Sequence, residues 1–119
     1  KTAYEIMPSL VGSEMCIRDS CAAVYFGSRA EDYGLVTLEA FSSAKAVVTC
    51  TDSGGPAELV EDGVTGFVSK PEVDDVAEAL ERITQETGLA EKLGAAAAEV
   101  AVQHSWPAAV ERLLAACQP

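Results

Sequence analysis

Positive charge is scarce in this 119-residue sequence: 8 lysines and arginines stand against 19 acids, for a formal net charge of −11. Nucleic-acid binding needs clustered cations to neutralise phosphates, so no nucleic-acid partner is expected. Direct adhesion to anionic lipid is disfavoured for the same reason. Histidine is nearly absent, with His104 alone, and the four cysteines (Cys16, Cys21, Cys50, Cys117) form no CxxC or other metal-ligand spacing. They read as structural thiols of a reducing compartment rather than as a zinc or redox site, so no metal is expected and the cytoplasm is the expected location. No apolar run approaches the roughly 18 residues of a membrane span. The N-terminus has no basic region leading into an apolar core, so it does not read as a secretion signal. Aromatic residues are few, at 6%, while 49% of the chain is apolar, as in an ordinary soluble α/β protein. The length bounds the chain at one modest domain.

What is present is a series of short apolar runs separated by loop chemistry. Ala22-Ala23-Val24-Tyr25-Phe26 has the length of a strand buried on both faces and stops at Gly27-Ser28. A polar stretch follows, and helix formers dominate from Leu35 to Ala44. Ala46-Val47-Val48-Thr49-Cys50 is a second buried strand by the same criteria. After the loop Thr51 to Gly55, Pro56 suits the first turn of a short helix through Val60. Asp62-Gly63 turns the chain into a third strand at Gly66-Phe67-Val68.

The remainder reads as helical. Val73, Val76, Ala77, Leu80 and Ile83 recur at helical spacing, with acids and Arg82 on the solvated face. An alanine-rich helix spans about Leu89 to Gln103. Ser105 can cap another, with Trp106, Val110, Leu113 and Leu114 expected to face inward and Pro107 harmless in its first turn. Alternating strands and helices imply a parallel sheet with right-handed crossovers. The expected fold is therefore α/β: a partial Rossmann-like, doubly wound parallel sheet of about three strands with C-terminal helices. A whole sheet of this kind has about six strands, so the fragment is expected to start mid-domain.

Residues 1–20 fit none of this. Ser9 to Ser20 carries no clean period and runs straight into a buried strand. The string also resembles the conceptual translation of a sequencing-library adaptor. Residues 1–20 are thus expected to be a non-native or disordered segment that contributes nothing to binding, ahead of a partial domain over 21–119.

The chemistry concentrates in Glu31-Asp32-Tyr33-Gly34-Leu35-Val36-Thr37-Leu38-Glu39. A strand ends, a polar loop follows, and a helix opens with glycine at its mouth. Lacking a Cβ, Gly34 would let a ligand come close to the backbone. The first amides of the helix (Gly34, Leu35, Val36) have no intrahelical acceptor, and the helix dipole assists an anion there. A diphosphate suits such a site, although no GxxxxGK[ST] P-loop is present. Glu39 falls in a helix that is apolar nearly all round and is therefore expected to be buried. A buried carboxylate needs donors. Ribose hydroxyls would serve, as would backbone amides or a nearby serine, and the residues alone leave both open.

Taken in order, several motifs are similar to the C-terminal half of family 4 retaining GT-B glycosyltransferases. They are Ser28 to Gly34, Leu38-Glu39-Ala40, Val47-Val48, Asp52-Ser53-Gly54-Gly55-Pro56-Ala57-Glu58 and Asp62 to Gly66. Glu31 and Glu39 match that family's E-x7-E pair, and the tail around Ser105-Trp106 resembles its C-terminus. The resemblance implies that Glu31 bonds hydroxyls of the transferred sugar and is the catalytic residue. Backbone amides at Tyr33, Gly34, Leu35 and Val36 would hold the sugar and diphosphate, and Glu39 the ribose. It implies transfer of a sugar from a nucleotide diphosphate sugar, with retention at the anomeric carbon and no cofactor or obligatory metal. The acceptor is undefined: a glycan, a lipid-linked molecule or a small molecule. The N-terminal GT-B domain and the upstream Arg and Lys of the family lie outside this sequence, so the fragment is expected to have no turnover alone. Peripheral membrane association of a full-length enzyme stays open.

The sequence departs from the family at Gly27, where Pro is common, and at Ala44 and Ala46, near positions often held by Gly and Pro. Gly54, Gly55 and Glu58 are explained by a tight turn and a capped short helix without any ligand. Asp52 and Ser53 support no phosphate site, and His104 reads as a helix-end residue rather than a base. Two rivals remain: a GT-B phosphorylase or sucrose-type synthase, and a non-catalytic flavodoxin-like binding module.

Overall fold

The computed structural model describes residues 20–118. Apart from Ser20, the segment expected to be foreign lies outside the described residues. Three strands form a parallel sheet in the order β1 (Ala23–Tyr25), β2 (Ala46–Cys50), β3 (Gly66–Ser69). Helix α1 (Leu35–Ser42) connects β1 to β2, and short helix α2 (Gly55–Leu59) connects β2 to β3. Helices α3 (Val73–Gln85), α4 (Leu89–Gln103) and α5 (Trp106–Ala116) follow. The register sets Val24 against Val47 and Val48 against Phe67.

Alternation along β2 divides the core in two. Ala46 and Val48 face Phe67, with Ala79 and Ile83 of α3 and Leu93 of α4. Val47 faces the other way, with Ala40 and Phe41 of α1, Val60, and Ala97 of α4. Helices thus cover both faces, as the doubly wound reading requires. Every residue of β2 is buried, as expected of a central strand in a parallel sheet.

The expected faces fare less well than the expected elements. β1 is not buried on both faces: Ala23 and Val24 are half-buried and Tyr25 is 51% exposed. Like β3, it is an edge strand of the sheet among the described residues, with β2 between them. α1 is not buried all round either. Thr37, Ala40 and Phe41 are buried, whereas Leu35, Val36 and Glu39 are exposed, because the helix meets sheet and α4 with one side only. In α3 the seam is Ala79 and Ile83, flanked by Val76 and Leu80, while Val73 and Ala77 are exposed. In α5 the expected inward stripe is open: Trp106 is 85% exposed, and Val110, Leu113 and Leu114 are exposed with it. No described element lies against that stripe closely enough to bury any residue of α5. The expected cap does form, with Ser105 Oγ accepting from Ala108 N at 3.4 Å.

The turn out of α1 bears on the departure at Ala44. Lys45 N donates to Ala40 O at 2.9 Å and Ala44 N to Phe41 O at 3.0 Å, the bonding of a Schellman ending. That ending puts Ala44 in the left-handed region, at φ 56. Alanine there carries a strain that glycine would not.

Candidate functional site

The site grows from the C-terminal ends of β1 and β2. Phe26 N donates to Val48 O at 2.9 Å, and the chain then leaves the sheet as a loop. That loop is laced to the one after β2. Ala30 N donates to Asp52 O at 2.9 Å, Glu31 N to Ser53 O at 2.8 Å, and Gly55 N to Glu31 O at 2.8 Å. Glu31 and Gly54 form a one-residue parallel bridge. Ala30 is held at φ 53, an uncommon conformation for a residue with a side chain, immediately ahead of Glu31. The Glu31 carboxylate, half-buried, accepts from Ser28 Oγ at 3.2 Å.

Two glycines let these loops touch. Gly54 has φ 79, and a Cβ there would stand 2.5 Å from Glu31 O. Gly55 runs equally close beneath Asp32 and Tyr33. The pair therefore holds the Glu31 loop in contact, beyond the turn expected of it, and Gly54 gives α2 no side-chain cap. Below them Thr49 and Ser53, both fully buried, are hydrogen-bonded to each other at 2.8 Å.

Gly34 caps α1 at φ 72 and is buried. Its missing Cβ would lie 2.5 Å from Pro56 Cγ, so packing on α2, together with the left-handed turn, demands glycine here. Packing thus accounts for glycine at this position without any ligand. The first bond of α1 runs from Thr37 N to Gly34 O at 2.9 Å, which leaves the amides of Gly34, Leu35 and Val36 ahead of the helical ladder. Leu35, Val36 and Glu39 share one exposed face at helical spacing. Glu39 is therefore accessible rather than a buried carboxylate.

Tyr33 is half exposed and borders a separate depression of about 370 Å³ with Asp32, Gly55, Glu58, Leu59 and His104. A larger groove, about 570 Å³, runs between the end of β1 and α3. Tyr25, Arg29, Cys50 and the α3 residues Val73, Val76 and Leu80 line it, and none of the expected site residues does. The Tyr25 hydroxyl is held above the usual tyrosine range there, chiefly by its hydrogen bond with the Cys50 thiol and then by burial. Roominess and the expected chemistry thus lie apart. An anion or sugar needs donors and acceptors more than apolar volume, and these lie at the Glu31 loop and the α1 N-terminus.

The lacing by Thr49 and Ser53 is the part of the site that the sequence does not display. Its one signal is a threonine inside an otherwise apolar strand, where a buried hydroxyl must find partners.

Known proteins resemble this chain in sequence and in fold. The chain is 39% identical over 98 residues to the D-inositol 3-phosphate glycosyltransferase of Kribbella flavida, covering 82% of this chain and 23% of that protein. It is 35% identical over 77 residues to human alpha-1,3/1,6-mannosyltransferase ALG2, covering 65% of this chain and 18% of that protein. The chain thus spans about a fifth of the length of these curated relatives. Among solved structures, Anabaena HepE in complex with UDP and glucose superposes with a TM-score of 0.73 at 29% identity, over 83% of this chain and 27% of HepE. HepE has also been solved with UDP-glucose. No helix among the described residues is long and apolar enough to cross a membrane. Residues 15–100, well over half of the sequence, match the family model described as Glycosyl transferases group 1, and the chain belongs to that glycosyltransferase family.

Proposed function

We propose that this chain supplies the donor-binding part of a retaining glycosyltransferase that moves a sugar from a nucleotide diphosphate sugar to an acceptor. One observation carries it: the laced loop presents Glu31 beside a helix whose free amides (Gly34, Leu35, Val36) and exposed Glu39 follow at once. In this account Glu31 binds hydroxyls of the transferred sugar. The amides of Tyr33, Gly34, Leu35 and Val36 take the diphosphate and sugar, assisted by the helix dipole. Glu39 takes the ribose. The HepE complexes with UDP and with UDP-glucose support a ligand of this chemistry. The acceptor and the other wall of the site belong to an N-terminal domain, with no obligatory metal, and the thiols Cys50 and Cys117, outside any disulfide, suit the cytoplasm.

Titration with UDP and UDP-glucose as probes separates the two carboxylates. Glu39→Gln should weaken both ligands about tenfold, since a hydrogen bond to a charged group is lost in each. Glu31→Gln should weaken UDP-glucose and leave UDP nearly unchanged. Equal affinities in both variants, with melting intact, would remove the assignment. Where the sequence is joined to an acceptor-binding half, the product's anomeric proton should show the donor's configuration, and inversion would refute retention.

A further inference from the structure

The lacing of the Glu31 loop depends on two side chains that no role above includes. Thr49 Oγ1 lies 2.8 Å from the Phe26 carbonyl oxygen and 2.8 Å from Ser53 Oγ. Cys50 N lies 3.2 Å from Ser53 Oγ. A hydroxyl has a single hydrogen to donate. The carbonyl oxygen of Phe26 only accepts, so the Thr49 hydrogen goes there. The hydrogen between the two hydroxyls is then that of Ser53, and Ser53 accepts from the Cys50 amide. A relay of one direction results: Cys50 N–H to Ser53, Ser53 to Thr49, Thr49 to Phe26 O. Both side chains are fully buried, so water does not reach either hydroxyl.

We propose that this relay positions Glu31. It ties the end of β1, at Phe26, to the loop after β2. That loop in turn accepts the Ala30 and Glu31 amides at Asp52 O and Ser53 O. Ser53 is thus both a member of the relay and the residue whose carbonyl holds Glu31. The conformation of Ala30, at φ 53, fits this view, because backbone strain persists only where the surroundings over-determine it. Thr49 and Ser53 are positioning residues that act through Glu31. Their effect on ligand binding rests on the sugar-binding role proposed for Glu31, whereas the backbone restraint itself does not.

Amide hydrogen exchange of the ligand-free chain, followed by NMR, tests the restraint. Thr49→Val and Ser53→Ala should each speed exchange at Ala30, Glu31 and Gly55 about tenfold, while amides of α1 and β3 keep their rates. Thr49→Ser keeps the hydroxyl and should restore the slow rates. In titrations, Thr49→Val should also shrink the preference for UDP-glucose over UDP. Unchanged rates at Ala30 and Glu31, or a uniform rise through α1 and β3 as well, would overturn the positioning claim. If Glu31→Gln leaves UDP-glucose affinity intact while the exchange results hold, the sugar-binding role fails and the relay stands. The opposite pattern rejects the relay alone.

Discussion

Replacing Ala44 by glycine should stabilise this protein, although glycine usually does the reverse. Ala44 follows α1 in the left-handed region, at φ 56, with its amide bonded to Phe41 O. An L-residue there is strained by about 1–2 kcal/mol, which glycine relieves. Against that, glycine makes the unfolded chain more flexible, at a cost of about 0.4–1 kcal/mol. The two terms leave a net gain of roughly 0.5–1 kcal/mol. For a domain of this size the melting temperature should rise by about 3–6 °C in a thermal scan. Ala95→Gly is the matching control, since Ala95 is exposed in the middle of α4 with no strain to relieve. It should lose about 1 kcal/mol. An Ala44→Gly variant that melts at or below the parent temperature would show that the turn is not strained as described.

Gly54→Ala tests the contact between the two loops: positive φ and a Cβ 2.5 Å from Glu31 O should cost about 3 kcal/mol in chemical denaturation. A loss under about 1 kcal/mol would mean that the loops are not in contact. Thr37→Val removes a buried hydroxyl that has no hydrogen-bond partner among the described residues and keeps the shape. It should be neutral or stabilising by up to about 1 kcal/mol, and a clear drop in melting temperature would reveal a hidden partner. Removing residues 1–20 should leave both melting and UDP-glucose affinity unchanged, and a large loss in either would mark that segment as native structure.

Local signals were enough for the elements themselves. β2 and β3 were readable from apolar runs between turn residues, α4 from its alanine-rich stretch, and the start of α5 from Ser105. Which faces are covered was not readable. Leu35, Val36, Val73 and Trp106 are apolar and exposed, and only the placement of neighbouring elements decides that. Glu39 illustrates the difficulty: periodicity placed it in a buried helix, whereas α1 turns that side outward. Gly34 and Gly54 were legible as special positions, but their contacts with Pro56 and Glu31 join residues far apart in sequence. The relay through Thr49 and Ser53 appears only once the ends of β1 and β2 lie side by side.

The donor-site assignment is tested most directly by mapping ligand contacts on the backbone of this chain. Amide NMR spectra recorded through titrations with UDP and with UDP-glucose report each residue separately. UDP should shift the amides of Gly34, Leu35, Val36 and Glu39, and UDP-glucose should shift these and also Glu31 and Tyr33. Shifts confined to the groove formed by Tyr25, Cys50 and Val76, or none at millimolar ligand, would contradict a donor site at the Glu31 loop and the start of α1.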